Sequence, residues 1–120
     1  MLAYVAGAVV AVWGVTHAIP TRRVVAGFEP TALDNHRVIL QEWLAEAVAM
    51  WGSAALVIAV TAVGGEERLT DTVYRVTAGM LVALAVLTAA TGARTRVVWF
   101  KLCPVLLTGT AALLVAASLV

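Results

Sequence analysis

Two glutamates stand one helical turn apart in the stretch Asp34-Asn35-His36-Arg37-Val38-Ile39-Leu40-Gln41-Glu42-Trp43-Leu44-Ala45-Glu46, which runs straight into an apolar segment. At about 100° per residue, Asn35, Glu42, Glu46 and Ser53 fall on one helix face, with Asp34, Arg37 and Gln41 on the face beside it. Two carboxyls at this spacing repel when both ionise, so the pair is expected to hold one proton near neutral pH. A protonated glutamate is a general acid, and its ionised neighbour or a neutral His17 is a base. The candidate site is therefore Glu42, Glu46 and His17 as acid–base groups, with Asn35, Trp43 and Lys101 as substrate-contacting residues. The same residue types also serve a plainer end. In a structural network Glu42 would pair with Lys101 or an arginine, and Glu46 would hydrogen-bond a neighbouring helix. A metal held by His17, Glu42 and Glu46 is not expected, because no tight spacing such as His-Glu-x-x-His is present. No cofactor is expected either: the chain has no Gly-rich phosphate loop, nucleophile elbow or cysteine cluster.

The elements that carry these residues are set by hydropathy. Hydrophobic residues make up 62% of the 120 and charged residues 12%, against about 25% charged in ordinary soluble domains. A water-soluble chain this short leaves about 40% of its unfolded area exposed and could not hide that much apolar surface. The bilayer removes the difficulty. The expected fold is all-α, an integral membrane bundle of four transmembrane helices over about 2–19, 33–63, 73–92 and 97–120. Pro20 closes the first helix; Pro30-Thr31 and Asp34-Asn35 open the second, with Thr31 or Asp34 as cap. Gly64-Gly65-Glu66-Glu67-Arg68 and the segment from Thr91 to Arg96 read as polar turns. Without Lys or Arg before its first apolar run, the N-terminus is expected to be a retained helix and not a cleaved signal. A net charge of +1 and the absence of an aromatic-laced basic stripe argue against nucleic acid as partner. The single cysteine, Cys103, excludes an internal disulfide and reads as a buried, unreactive thiol. Gly7, Gly14, Gly79 and Gly109 read as points of close helix approach.

Orientation follows from the basic residues. Arg22, Arg23, Arg37, Arg94, Arg96 and Lys101 flank the first and third loops; Arg68 and Arg75 flank the second. Six against two places the first and third loops in the cytoplasm and both termini outside, in a multi-pass protein of the cell membrane. Trp43, Trp99 and Phe100 then fall near the inner interface, and Tyr4 and Tyr74 near the outer one. From an inner boundary near Val38, a rise of about 1.5 Å per residue puts Glu42 about 6 Å deep and Glu46 about 12 Å deep. An acid at that depth costs roughly 2.5–3.5 kcal/mol on insertion scales, so both are expected to face the bundle interior. Alternating topology brings His17, Asn35, Glu42, Glu46 and Lys101 into one leaflet.

Gly14-Val15-Thr16-His17 in the first helix, and Glu46 followed by small residues, Gly52 and an aliphatic run in the second, resemble the small four-helix membrane proteins of the DoxX-like group. The resemblance implies a four-helix bundle and an accessory role beside a redox or transport system, and supplies no catalytic residues. Three functions compete. One is an enzyme that isomerises, cyclises or hydrolyses a lipophilic molecule, with membrane lipid or a lipophilic small molecule as partner. The second is a non-catalytic subunit of a larger membrane complex. The third is a proton- or cation-coupled transport unit working as a homo-oligomer. Transport ranks last, because the outer halves of helices two and three offer little but Thr and Gly as polar features.

Overall fold

The computed structural model describes residues 1–27 and 33–120. Its elements are α1 (Leu2–Ala18), α2 (Thr21–Ala26), α3 (Leu33–Val63), α4 (Glu67–Ala90), a 3₁₀ turn (Gly92–Arg94) and α5 (Val98–Ala117), with no strand among the described residues. Three helical stretches are long and apolar enough to cross a membrane, Leu33–Val63, Glu67–Arg94 and Val98–Ala117; α1 is a shorter apolar helix. Thr31, expected as a cap, lies outside the described residues, and Asp34 sits in the first turn of α3 and not at its cap.

The helix ends follow from local chemistry. Pro20 cannot donate a backbone hydrogen bond, so α1 stops at Ala18 and the chain restarts as α2. Gly64 takes φ +62°, a left-handed conformation that glycine adopts without a Cβ clash, and this ends α3. The turn that follows is shorter than expected. Helix α4 begins at Glu67, with Leu69 and Thr70 donating to the Glu66 carbonyl, so Glu67 and Arg68 belong to the helix.

In the bundle, α1 packs against α3 and α5, and α4 packs against α5. Helices α3 and α4 touch much less, although a short turn joins them; a Thr61 Oγ1–Tyr74 Oη hydrogen bond of 2.7 Å ties them near that turn. The interior is built from small side chains on every long helix: Ala3 and Ala6, Ala47 and Ala54, Ala78 and Ala85, and Ala111 are all buried. Met50, Leu81, Leu107 and Leu114 fill the centre. The larger apolar residues Val12, Val48, Leu56, Val82, Val86 and Val105 point outward. Such continuous apolar exposure would aggregate in water and is what lipid accepts.

Two of the four expected close approaches are present. A Cβ on Gly7 would stand 2.8 Å from Ile58 Cγ1, and one on Gly14 would stand 2.7 Å from Trp51 Nε1 and 3.2 Å from Met50 Cβ. These residues are two turns apart on one face of α1 and let α3 lie against it. Gly79 and Gly109 meet nothing within 4 Å and face outward, so they are not contacts of this bundle.

Candidate functional site

The end of α1 is completed by α3. An unbroken helix would satisfy the His17 carbonyl with the Thr21 N–H, but the chain breaks at Pro20. The Trp43 indole Nε1–H donates to that carbonyl instead, at 3.2 Å. Thr21 Oγ1 donates to the Ala18 carbonyl in the same way. The His17 imidazole lies flat on the Trp43 indole, with centroids 4.0 Å apart and planes inclined by 18°. Its Nε2 is 3.1 Å from the Trp43 carbonyl oxygen. A carbonyl only accepts, so Nε2 carries a hydrogen and the neutral ring is the Nε2–H tautomer. Phe100 of α5 packs edge-on against Trp43, at 5.5 Å.

Glu46 lies one turn further along the bundle, between α1 and α5. Its Oε2 is 3.6 Å from His17 Nε2, and its Oε1 accepts from the Cys103 thiol at 3.8 Å. The Trp13 indole N–H donates to Cys103 Sγ at 3.3 Å, and Thr88 of α4 stands beside the same thiol. One polar chain thus runs from Trp13 through Cys103, Glu46 and His17 to the Trp43 backbone. With Thr88, it draws on all four long helices. His17 is buried, whereas the Glu46 side chain keeps 23% of its surface accessible. The carboxylate is therefore in contact with two hydrogen-bonding groups and still reachable.

Comparison of the chain with protein-family models, with curated proteins and with solved structures finds no match. In the structure Gly14 lies against Trp51 and Met50, and His17 against Glu46.

The other expected site residues stand apart. Glu42 is exposed, and its carboxylate is met only by Gln41 Nε2 at 3.5 Å. The expectation that Glu42 faces the interior is corrected for a simple reason. It shares a face with Glu46, but it lies a turn further toward the level at which α1 ends at Ala18, and among the described residues nothing buries its side chain. Asn35 and Lys101 are also exposed. Among the described residues neither glutamate pairs with Lys101 or an arginine; the Arg37–Asp34 pair at 3.5 Å is a solvated i,i+3 contact of little energetic weight. No group of three His, Cys, Asp or Glu side chains is placed to hold a metal, among the described residues.

Trp13 and Cys103 were missed as site residues. Each had a faint signal in the sequence. Trp13 precedes His17 by one helical turn, and Cys103 follows Phe100 by three residues, so each shares a face with a residue already singled out.

Proposed function

We propose that this chain is a cell-membrane protein of four helical spans, whose Glu46–His17–Cys103 cluster does acid–base work on a lipophilic molecule. In this reading α1 is the fourth span, its 17 residues giving about 26 Å of helix for a hydrocarbon core of about 30 Å. The six-to-two distribution of cations supports first and third loops in the cytoplasm and both termini outside. The site then lies in the inner leaflet, and the reaction is an isomerisation, cyclisation or hydrolysis.

The observation that carries the proposal is the Glu46 carboxylate, held between an imidazole at 3.6 Å and a thiol at 3.8 Å yet partly open. In a site of low dielectric a carboxylate with two such neighbours can take a proton from a bound molecule, and the same carboxyl, now protonated, can return it at another atom while the His17 Nε2–H beside it steadies the ionised form. Trp43 holds the imidazole by stacking and through its carbonyl, which accepts from Nε2, while its indole N–H ties down the His17 backbone, so the ring is oriented before anything binds.

The test is isotope uptake. Membranes holding the parent or Glu46→Gln are incubated with their own lipid extract in D₂O and, separately, in H₂¹⁸O, and the lipophilic products are weighed by mass spectrometry. The parent should place deuterium (isomerisation, cyclisation) or ¹⁸O (hydrolysis) in a defined species, and the Gln variant should not. Equal labelling by both chains, or none by the parent, sinks the proposal. The second reading is a DoxX-like accessory subunit, favoured by the meeting of Gly14 and His17 with the Glu46 segment. A well-folded Gln variant that matches the parent in every membrane activity would support it.

A further inference from the structure

A second feature lies at the opposite end of the molecule from Glu46. Between α4 and α5 an open groove of about 690 Å³ runs along the bundle surface. Its floor is apolar and shallow because small residues line it, Ala78 and Gly79 on α4 and Thr108 and Ala112 on α5. No described residue fills it at Gly79, where a Cβ would meet open space. Arg75 closes the end nearest the α3–α4 turn.

Arg75 is held and yet uncompensated. Its Nε donates to Ser118 Oγ at 3.1 Å and one terminal nitrogen donates to the Ser118 carbonyl at 3.2 Å, which fixes the guanidinium against the last turn of α5. Among the described residues neither Arg75 nor Arg68, two turns earlier on the same face, forms an ion pair. Asp71 lies one turn from Arg75 and does not pair with it. A guanidinium with free donors at the headgroup end of an apolar groove matches a phosphodiester followed by a hydrocarbon chain. A second copy of the chain matches less well. Two-fold pairing of parallel copies through this groove would bring Arg75 and its counterpart to the same depth, like charge against like charge.

We infer that the α4–α5 groove holds one acyl chain of a phospholipid whose phosphodiester sits on Arg75. This goes beyond the acid–base proposal and shares only its premise that the chain spans a bilayer. Alkaline extraction settles the premise separately: a chain that leaves the membrane overturns both.

Chain that resists extraction is placed in bilayer discs of phosphatidylethanolamine and phosphatidylglycerol and released for native mass spectrometry. The parent should keep one phospholipid per chain. Arg75→Gln should lower retention about tenfold, the loss expected for a charge-assisted hydrogen bond. Ala112→Leu fills the groove without touching Arg75 and should lower it as well. Ser118→Ala removes one of the two internal hydrogen bonds that Arg75→Gln disrupts but keeps the charge, so retention should persist. Equal retention by all four chains means ordinary surrounding lipid and overturns the site. Disulfide-linked dimers of Ala112→Cys in the bilayer, with no retained lipid in the parent, overturn it in favour of a second copy.

Discussion

Replacing Trp43 by phenylalanine keeps an aromatic ring over the His17 imidazole and removes one hydrogen-bond donor. The donor lost is the indole N–H that meets the His17 carbonyl at 3.2 Å. Among the described residues no backbone N–H stands in for it, because the chain turns at Pro20. A buried acceptor left without its donor costs about 1–3 kcal/mol, while interhelical hydrogen bonds measured in a membrane average about 0.6 kcal/mol. The carbonyl sits in the last turn of α1, beside the break at Pro20, and a value between these two, about 1 kcal/mol, is expected. That is roughly a fivefold shift in the folding equilibrium. The chain supplies its own reporter, since Cys103 is the only cysteine and is 4% exposed. Its rate of modification by a thiol reagent along an SDS titration measures opening of the bundle. Trp99→Phe, at a site 67% exposed, controls for loss of a tryptophan. Trp43→Phe within about 0.3 kcal/mol of that control would mean that the bond contributes nothing net and would refute the account of how α1 is tied to α3.

Three further outcomes are expected. An impermeant thiol reagent applied to intact cells should label a cysteine at Glu67 and not one at Thr95; the reverse pattern would invert the orientation. Gly14→Ala drives a Cβ to within 2.7 Å of Trp51 and should destabilise by about 1–3 kcal/mol, whereas Gly79→Ala should leave the SDS midpoint unchanged; similar midpoints for both would deny the close approach of α1 and α3. Tyr74→Phe removes the hydroxyl bonded to Thr61 and should cost roughly 0.6–1 kcal/mol, with faster hydrogen exchange at the ends of α3 and α4 that flank the turn.

Hydropathy located the long helices because twenty apolar residues in a row have few other uses. It was blind to helix that continues outside the apolar window. Four of the five residues from Glu67 to Asp71 are polar, yet they extend α4, since a helix in contact with water needs no apolar face all round. Helix α2 is six residues long, too short for any periodicity to register. Within the site, depth and topology suggested only that His17, Asn35, Glu42, Glu46 and Lys101 share one level; that His17 and Glu46 are the two that meet comes from the packing of α1 on α3. The separation of Glu42 from Glu46 was not legible. Helical phase puts both on one face, and it is the packing of α1 and α5 against Glu46 that sets it apart from the exposed Glu42. Cys103 looked inert because a single apolar-flanked cysteine carries no spacing information. Its neighbours Trp13 and Glu46 come from two other helices.

The alanine-lined interior and valine-rich exterior reverse the usual geography of mutational tolerance. In a water-soluble domain the surface drifts freely in polarity and the core is restricted to apolar types. Here the outward positions, such as Val12, Val48 and Val86, are free in size but held to apolar chemistry. The inward positions are held to size first: Ala6 and Ala47 are completely enclosed, so even one added methylene forces two helices apart. A saturation scan should therefore show two separate signatures along each helix, intolerance to bulk on one face and intolerance to charge on the other. Glu46 is the position at which the second signature should be reversed, with apolar replacements the damaging ones.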